Sequence, residues 1–394
     1  MVYLRTVGLL VLLLCASLAV AGKPNWAKPG VVFMYVADFS KYYEKDFNVL
    51  MQRVNEAVNR IFTGEVPLAY RMAIVFRLVS VNDTHGVFQI ELGAQRLEGQ
   101  IEVGGQRSEG YITWSDGVFR VSGEKFLSIF RPLEKLRGLP QTTVFGLPVY
   151  EVVERNVKDS VNTTWYFYYH KDTGVLVLAI NVDIYRSSDK ELKWGSNVGY
   201  IMLLGGNVVR GKPQWAAPGV KLVYRTYELN ATNIEEALRR AEEEFARGVA
   251  AGEERVYEFV AVDDLNATVR ISYAETRYGM VYLYWIAGSW LLYKPPEVLQ
   301  GHPLVRLGPY ETYKVAIKRY GIVAYYQKDT GILLMAVTPA KAEGRFRVFA
   351  LASTNISIPT TPSPAAGGPG GLWLVIAVAA AVAVVAVVLL RKRL

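Results

Sequence analysis

One stretch of the sequence carries residues that could hold a phosphate. Residues 206–213 read Gly-Asn-Val-Val-Arg-Gly-Lys-Pro, close to the phosphate-loop pattern G-x-x-x-x-G-K-[ST]. Pro213 stands where that loop needs a hydroxyl for magnesium, and the same Gly-Lys-Pro recurs at Gly22–Pro24. We therefore interpret the stretch as the boundary of a repeat and predict no nucleotide or other cofactor.

Two copies of a Lys-Asp-Thr-Gly motif could in principle hold catalytic side chains. They are Lys171–Gly174 and Lys328–Gly331, each between two apolar runs. Glycine in this position supplies the positive φ of a tight hairpin turn. A catalytic cluster would need a recess, whereas hairpin tips protrude, so the sequence predicts two turns.

The three histidines do not predict a metal centre. His85, His170 and His302 fall in different predicted elements, and none has a second ligand at metal-binding spacing. The sequence also lacks G-x-S-x-G and H-E-x-x-H motifs. We predict no metal site, no catalytic residue and no enzyme activity. An envelope hydrolase stays open as a second alternative, because hydrolases can assemble sites from scattered residues.

Five N-x-[ST] sequons make the chain a candidate glycoprotein. The candidate sites are Asn82, Asn162, Asn230, Asn266 and Asn355. Asn82 and Asn266 are predicted to fall at equivalent turns between strands.

An internal repeat organises the chain. Gly22–Val31 returns as Gly211–Val220, and Tyr168–Leu176 returns as Tyr325–Leu333. The offsets are 189 and 157 residues, so the second copy is 32 residues shorter. We expect the extra length between Leu92 and Thr143 to form a loop or hairpin of the first copy only. Prolines flank Trp26 and Trp215 in the two copies. We interpret both tryptophans as structural residues that close the sheet of each module.

Short alternating runs rich in Val, Ile, Tyr and Thr predict strands joined by tight turns. Each copy also carries one amphipathic helix. The first is predicted to be capped by Ser40, and the second by a capping box at Thr232–Glu235. The predicted fold class is α+β: two homologous modules, each a curved antiparallel sheet packed on one amphipathic helix.

The first 21 residues have the features of a secretory signal peptide. Arg5 precedes an apolar run that ends in Ala19-Val20-Ala21. Cleavage is predicted between Ala21 and Gly22. Cys15, the only cysteine, would leave with this peptide, so no disulfide is expected.

The other end of the sequence predicts a membrane anchor. Residues 372–390 contain no charge and would span about 28 Å as a helix. The basic tail after them predicts a cytoplasmic C-terminus and an extracellular bulk. The predicted domains are the signal peptide (1–21), the first module (22–205), the second module (211–352), a Thr/Pro/Gly-rich stalk (353–371), the transmembrane helix (372–390) and the tail (391–394).

The net charge argues against nucleic acid as a partner. Of the formal +8, four positive charges lie in the leader and the tail, which leaves +4 on the rest. A weak and evenly spread charge does not form the basic patch that nucleic acid requires.

The layout of the chain resembles that of single-pass archaeal cell-surface proteins. Its order is a signal peptide, repeated β-rich modules, a Thr/Pro stalk, an Ala/Val-rich span and an Arg-Lys-Arg stop. In addition, the hairpin at Tyr168–Leu176 and Tyr325–Leu333 is similar to one in lipoprotein-carrier-like proteins. That resemblance implies an antiparallel sheet around a helix, with the capacity to hold lipid. No ligand residue is transferred by it.

The sequence thus predicts a single-pass cell-membrane protein that acts as a structural or binding component of the cell surface. Its expected partners are the membrane and an envelope protein, a glycan or a lipid. The first alternative is a carrier or sensor of an apolar ligand such as lipid.

Overall fold

Two antiparallel sheets make up most of the described chain, and the architecture is mainly β with a few short helices. The computed structural model describes residues 23–62, 72–95, 101–121, 124–158, 160–189, 191–248, 252–273, 276–286, 288, 292–317 and 321–360. The antiparallel sheets predicted from the sequence are confirmed.

The first half of the chain forms a sheet of eleven strands in the order β6-β5-β4-β3-β2-β1-β11-β10-β9-β8-β7. Its elements are β1 (Val32–Glu44), α1 (Phe47–Phe62), β2 (Met72–Val81), β3 (His85–Gln95), β4 (Ile101–Thr113), β5 (Phe119–Val121), β6 (Glu124–Leu127), α2 (Leu133–Leu136), β7 (Gln141–Val144), β8 (Leu147–Lys158), β9 (Val161–His170), β10 (Leu176–Arg186) and β11 (Trp194–Gly206).

The second half forms a sheet of nine strands in the order β15-β14-β13-β12-β20-β19-β18-β17-β16. Its elements are β12 (Lys221–Asn230), α3 (Ile234–Ala246), β13 (Glu253–Val262), β14 (Asn266–Tyr273), β15 (Thr276–Tyr284), α4 (Pro296–Leu299), β16 (Leu304–Leu307), β17 (Tyr310–Ile317), β18 (Ile322–Gln327), β19 (Leu333–Pro339) and β20 (Arg345–Thr354). In each half the first strand pairs with the last.

One amphipathic helix lies against each sheet. Helix α1 packs on β1 and β11, and α3 packs on β12, β19 and β20. Their apolar residues recur every three or four positions, which places them on one face. The buried residues are Leu50, Val54, Ala57 and Ile61 in α1 and Ala237, Leu238, Ala241 and Phe245 in α3.

Both helices begin later than the sequence predicts. Ser40 lies within β1, because the pairing of β1 with β11 continues to Glu44. Asp46 caps α1 instead, and its Oδ1 accepts hydrogen bonds from Asn48 N (2.7 Å) and Val49 N (3.2 Å).

The cap of α3 is shifted by one residue. Asn233 Oδ1 accepts from Glu236 N at 2.9 Å, and the Glu236 carboxylate accepts in return from Thr232 N at 2.9 Å. The reciprocal arrangement predicted for Thr232–Glu235 is therefore present, but on the next residue along the helix.

The extra length of the first half belongs to its sheet. Strands β5 and β6 extend the edge beyond β4 and have no counterpart among the described strands of the second half. The Phe119 ring is fully buried and meets the edges of Phe76 and Phe88 at centroid distances of 5.0 and 5.9 Å. The segment is thus a hairpin that supplies core residues.

Several predictions concern residues outside the described chain. The cleavage site at Ala21 and Gly22, the span at 372–390 and the tail at 391–394 lie there. The predicted stalk is described only to residue 360, and β20 ends at Thr354, just inside it. Within the described ranges, no helix is long and apolar enough to cross a bilayer.

Candidate binding surface

The two repeated tryptophans connect the opening motif of each half to its Lys-Asp-Thr-Gly turn. Trp26 Nε1 donates to the carbonyl of Thr173 at 2.9 Å, and Trp215 Nε1 donates to the carbonyl of Thr330 at 3.1 Å. The Trp26 ring also packs edge-on against Phe33 at 5.6 Å. These contacts agree with the structural role predicted for both tryptophans.

Two buried tyrosines make a second pair of equivalent bonds. Tyr35 Oη donates to the carbonyl of Leu176 at 2.8 Å, and Tyr224 Oη donates to the carbonyl of Leu333 at 2.7 Å. Burial raises the pKa of both phenols well above the ordinary value, with a smaller contribution from neighbouring tyrosines. Both side chains therefore stay neutral and act as hydrogen-bond donors within the core.

The Lys-Asp-Thr-Gly motifs form turns, as predicted. Gly174 has a φ of 68°, and a Cβ on it would lie 2.2 Å from the carbonyl oxygen of Arg131. His170 Nδ1 lies 3.0 Å from Thr173 Oγ1 in the first turn. In the second, Gln327 Oε1 accepts from Thr330 N at 2.6 Å. The motif residues therefore stabilise the turns.

The histidines are dispersed, in agreement with their spacing in the sequence. His85 opens β3, His170 ends β9, and His302 follows α4. Burial lowers the pKa of His170, while Asp172 raises it and Arg210 lowers it further. Across the described part of the chain, no three His, Cys, Asp or Glu side chains are grouped as a metal site.

The predicted glycosylation residues occupy different environments. Asn82 and Asn266 lie in turns of the same kind but at different positions of the turn. Asp263 is the equivalent of Asn82, because the side-chain Oδ1 of each accepts hydrogen bonds from the backbone N–H groups two and three residues later. Asn266 is half-buried, and the other four are exposed: Asn82, Asn162, Asn230 and Asn355. The Asn355 amide nitrogen donates to the carbonyl of Gly219 at 2.9 Å.

Arg210 joins the two halves. Its guanidinium donates to the carbonyls of Ile286 and Phe145, each at 3.1 Å, and lies 3.4 Å from a Glu297 carboxylate oxygen. The side chain is only 10% exposed, and this burial lowers its pKa although Glu297 opposes the effect. Leu265 of the second half is packed into the hydrophobic core of the first.

A half-open cavity of about 300 Å³ lies at this junction. The C-terminal end of α1, the β7–β8 hairpin, α4 and β17 form its walls. The apolar lining includes Phe62, Phe145, Val298, Val315 and Ile317, and the polar lining includes Thr143, Glu297, Gln300 and His302. Cavities of this volume between packed units are common ligand sites.

A second surface lies on the first sheet, on the face opposite α1. Residues Phe39, Gly199, Asn181 and Trp165 are directly paired across β1, β11, β10 and β9. Neighbouring strands are about 4.8 Å apart, so the two aromatic residues at the ends of this row are separated by about 14 Å. Phe39 is 46% exposed, and the other three residues are half-buried.

Polar and aromatic side chains alternate along this surface. The rings of Trp165 and Phe167 are stacked at 5.5 Å with an angle of 8° between their planes. Beside them, Thr163 Oγ1 donates to Asp183 at 2.8 Å. With its oxygen turned toward the indole, the Asn181 amide accepts from Trp165 Nε1 at 3.2 Å and donates to Asp183 at 3.3 Å. We call Phe39, Thr163, Trp165, Phe167, Asn181, Asp183 and Gly199 the aromatic shelf.

The corresponding face of the second sheet is charged. The repeat offset of 189 places Glu228 at the position of Phe39, and Glu228 pairs with Arg347 as Phe39 pairs with Gly199. A guanidinium nitrogen of Arg347 lies 3.4 Å from a Glu228 carboxylate oxygen. The offset of 157 places Ile322 and Ala324 at the positions of Trp165 and Phe167. The shelf is thus a feature of the first half.

The shelf is not among the features predicted from the sequence. The signal was present in the alternation Thr163-x-Trp165-x-Phe167, because residues two apart on a strand share a face. The shelf itself can be recognised only when the two copies are compared position by position and the strand pairing is known.

No protein-family profile matches the chain, and no curated protein matches it either. Among solved structures, the chain is similar to one described as "Crystal structure of MucB in complex with MucA(peri)". That match has 10% sequence identity and a TM-score of 0.17, and it covers 84% of this chain and 94% of the other. A likeness at this level assigns no family.

Proposed function

We propose that this chain is a membrane-anchored, extracellular binding protein of the cell surface and not an enzyme. In this proposal, residues 22–205 and 211–352 are homologous modules, each a curved sheet on one helix. Residues 353–371 form a stalk, and 372–390 span the membrane once. The aromatic shelf of the first module is the binding surface.

The proposal depends on the contrast between the aromatic shelf of the first half and the equivalent face of the second half. The halves share tryptophan and tyrosine hydrogen bonds at equivalent places. The first half nevertheless exposes Phe39, next to Gly199, where the second carries the Glu228–Arg347 pair. Exposed aromatic groups are enriched at binding surfaces.

Envelope binding tests this proposal. Full-length protein in detergent is mixed with isolated cell envelopes from cells that lack it, and the retained fraction is measured. Phe39→Ala and Trp165→Ala should reduce retention, whereas Ile322→Ala, at the matched position of the second half, should not. Equal retention of all variants would contradict the proposed binding surface.

Intact glycopeptide mass spectrometry tests the proposed location. Glycans on the exposed sequons Asn82, Asn162 and Asn230 would support an extracellular bulk. Protease treatment of intact cells should also remove both modules. The extracellular location would be contradicted if the modules resist protease and carry no glycan at any sequon.

A second candidate is a carrier or sensor of an apolar ligand, which the junction cavity favours. Its apolar wall contains Phe62, Phe145 and Val315. In native mass spectrometry of the detergent-extracted chain, a bound lipid mass that is lost in Val315→Trp would support this function. Detection of the protein mass alone, with no bound lipid, would contradict this second function.

A further inference from the structure

We propose that the aromatic shelf binds a neutral glycan, with sugar rings stacked on its aromatic side chains and sugar hydroxyls bound to Asp183 and Asn181. This inference rests on the proposed binding function and names the ligand class.

The aromatic part of the shelf is a stack of half-buried rings on β9. The Trp165 and Phe167 rings are nearly parallel, at 8°, and both are half-buried. The face of an aromatic ring is negative, and the C–H groups on one side of a pyranose are weakly positive. Phe167 is stacked between Trp165 and Tyr169, the latter at 6.2 Å, so a sugar ring can lie flat only on the Trp165 face that is turned away from Phe167. It cannot do so on a branched aliphatic residue such as Ile322.

The polar part of the shelf supplies hydrogen-bonding groups at the edge of these rings. An ionised carboxylate has about four acceptor positions. Asp183 uses some of them for the Thr163 hydroxyl, at 2.8 Å from one carboxylate oxygen, and for the Asn181 amide, at 3.3 Å from the other. These two neighbours fix the carboxylate, and its remaining acceptor positions can take sugar hydroxyls.

The charges around the shelf favour a neutral ligand. Glu154, which is paired with Trp165 across β8 and β9, lies 3.6 Å from Arg131. Lys41 lies on the same face as Asp183, with Asn197 between them across β11. The shelf and its border thus carry two carboxylates and two cations, with no net charge, and an uncharged partner complements this face better than an acidic or basic one.

Gly199 leaves a gap between the ends of the shelf. A Cβ at this position would meet its nearest neighbours at 3.8 Å, which is ordinary van der Waals contact. A side chain is therefore tolerated here without strain, and the glycine keeps the surface open between Phe39 and Asn181. The equivalent residue of the second half, Arg347, fills the corresponding place with a charged side chain.

The test uses full-length protein in a detergent without a sugar head group. Probes are maltohexaose, cellohexaose, laminarihexaose, mannohexaose and the neutral glycans released from the cells' own envelope. Oligogalacturonate is the acidic control. Binding is followed by calorimetry and by tryptophan fluorescence.

We expect at least one neutral probe to bind, and Trp165→Ala and Gly199→Arg each to weaken it about tenfold or more. Arg347→Gly, the matched change in the second half, should leave the affinity unchanged. Circular dichroism and the denaturation midpoint verify that the variants fold.

Failure of every neutral probe to bind, equal binding of oligogalacturonate, or insensitivity to both shelf variants would overturn the inference. If envelope retention still depends on Phe39 and Trp165 while no neutral glycan binds, the glycan inference fails and the proposed binding function stands. If neither measurement depends on the shelf, both fail.

Discussion

At the scale of single residues, the repeated Tyr and Trp side chains connect the start of each half to the turn near its end. Tyr35 bonds to Leu176 across 141 residues of sequence, and Tyr224 bonds to Leu333 across 109. Such bonds hold distant strands in one arrangement. Their equivalence in the two halves gives matched positions for mutation.

We predict that Tyr35→Phe and Tyr224→Phe each lower the free energy of unfolding by about 1 to 3 kcal/mol, because each leaves a buried carbonyl without its donor. Denaturant titration of the full-length variants measures the change. Tyr43→Phe, at an exposed tyrosine, serves as the control and should stay within about 0.5 kcal/mol. A buried variant as stable as this control would contradict the prediction.

His170 should make the stability of the first half depend on pH. Its folded pKa is lowered by burial, so the unfolded chain binds a proton at higher pH than the folded chain does. Stability should therefore fall as the pH drops below about 6.5 and level off below the folded pKa.

His170→Gln should flatten this dependence between pH 7.5 and pH 5, as measured by denaturant titration. Gln327 performs the equivalent role in the second turn, so the variant should fold normally at pH 8. An unchanged pH dependence would show that His170 does not contribute to it.

At the scale of elements, the caps of α1 and α3 show what local sequence can and cannot predict. Both helices are predicted from the sequence because their apolar residues recur at helical spacing. Serine is a good cap, so the sequence predicts that α1 starts at Ser40, but strand pairing between β1 and β11 keeps the chain extended beyond this residue. Non-local pairing of this kind cannot be read from one stretch of sequence.

We predict that Asp46→Ala and Asn233→Ala each reduce stability by about 1 kcal/mol through loss of the helix cap. Ser40→Ala, at the position wrongly predicted as the cap of α1, should have a smaller effect. Chemical denaturation of the full-length chain checks all three. An effect of Ser40→Ala larger than that of Asp46→Ala would contradict the observed start of the helix.

The sheets were more predictable than the surface they present. Glycine in the two Lys-Asp-Thr-Gly turns and the alternation of apolar residues locate the hairpins. The shelf, in contrast, depends on pairing across four strands, from Phe39 to Trp165. The extra length between Leu92 and Thr143 is predicted from the sequence as a loop or hairpin of the first copy, and the structure has sheet-extending strands and buried aromatic residues there.

At the scale of the whole molecule, Arg210 is one of the residues that join the two halves. We predict that Arg210→Met lowers stability by about 2 kcal/mol or more, because two carbonyls at the junction lose their donor. Calorimetry should show the unfolding of the halves separating into two transitions. Arg345→Met, at an exposed pair with Glu228, is the control and should cost less than about 1 kcal/mol. Similar unfolding profiles for the two variants would contradict the role of Arg210.

The proposed function depends on the difference between the two equivalent faces, and a reciprocal exchange tests it most directly. Gly199→Arg gives the first face the residue of the second, and Arg347→Gly does the reverse. Retention of each full-length variant on isolated envelopes is the measurement. The proposal predicts that Gly199→Arg abolishes retention and that Arg347→Gly leaves it unchanged. Retention that survives Gly199→Arg, or that is lost in Arg347→Gly, would contradict the central claim.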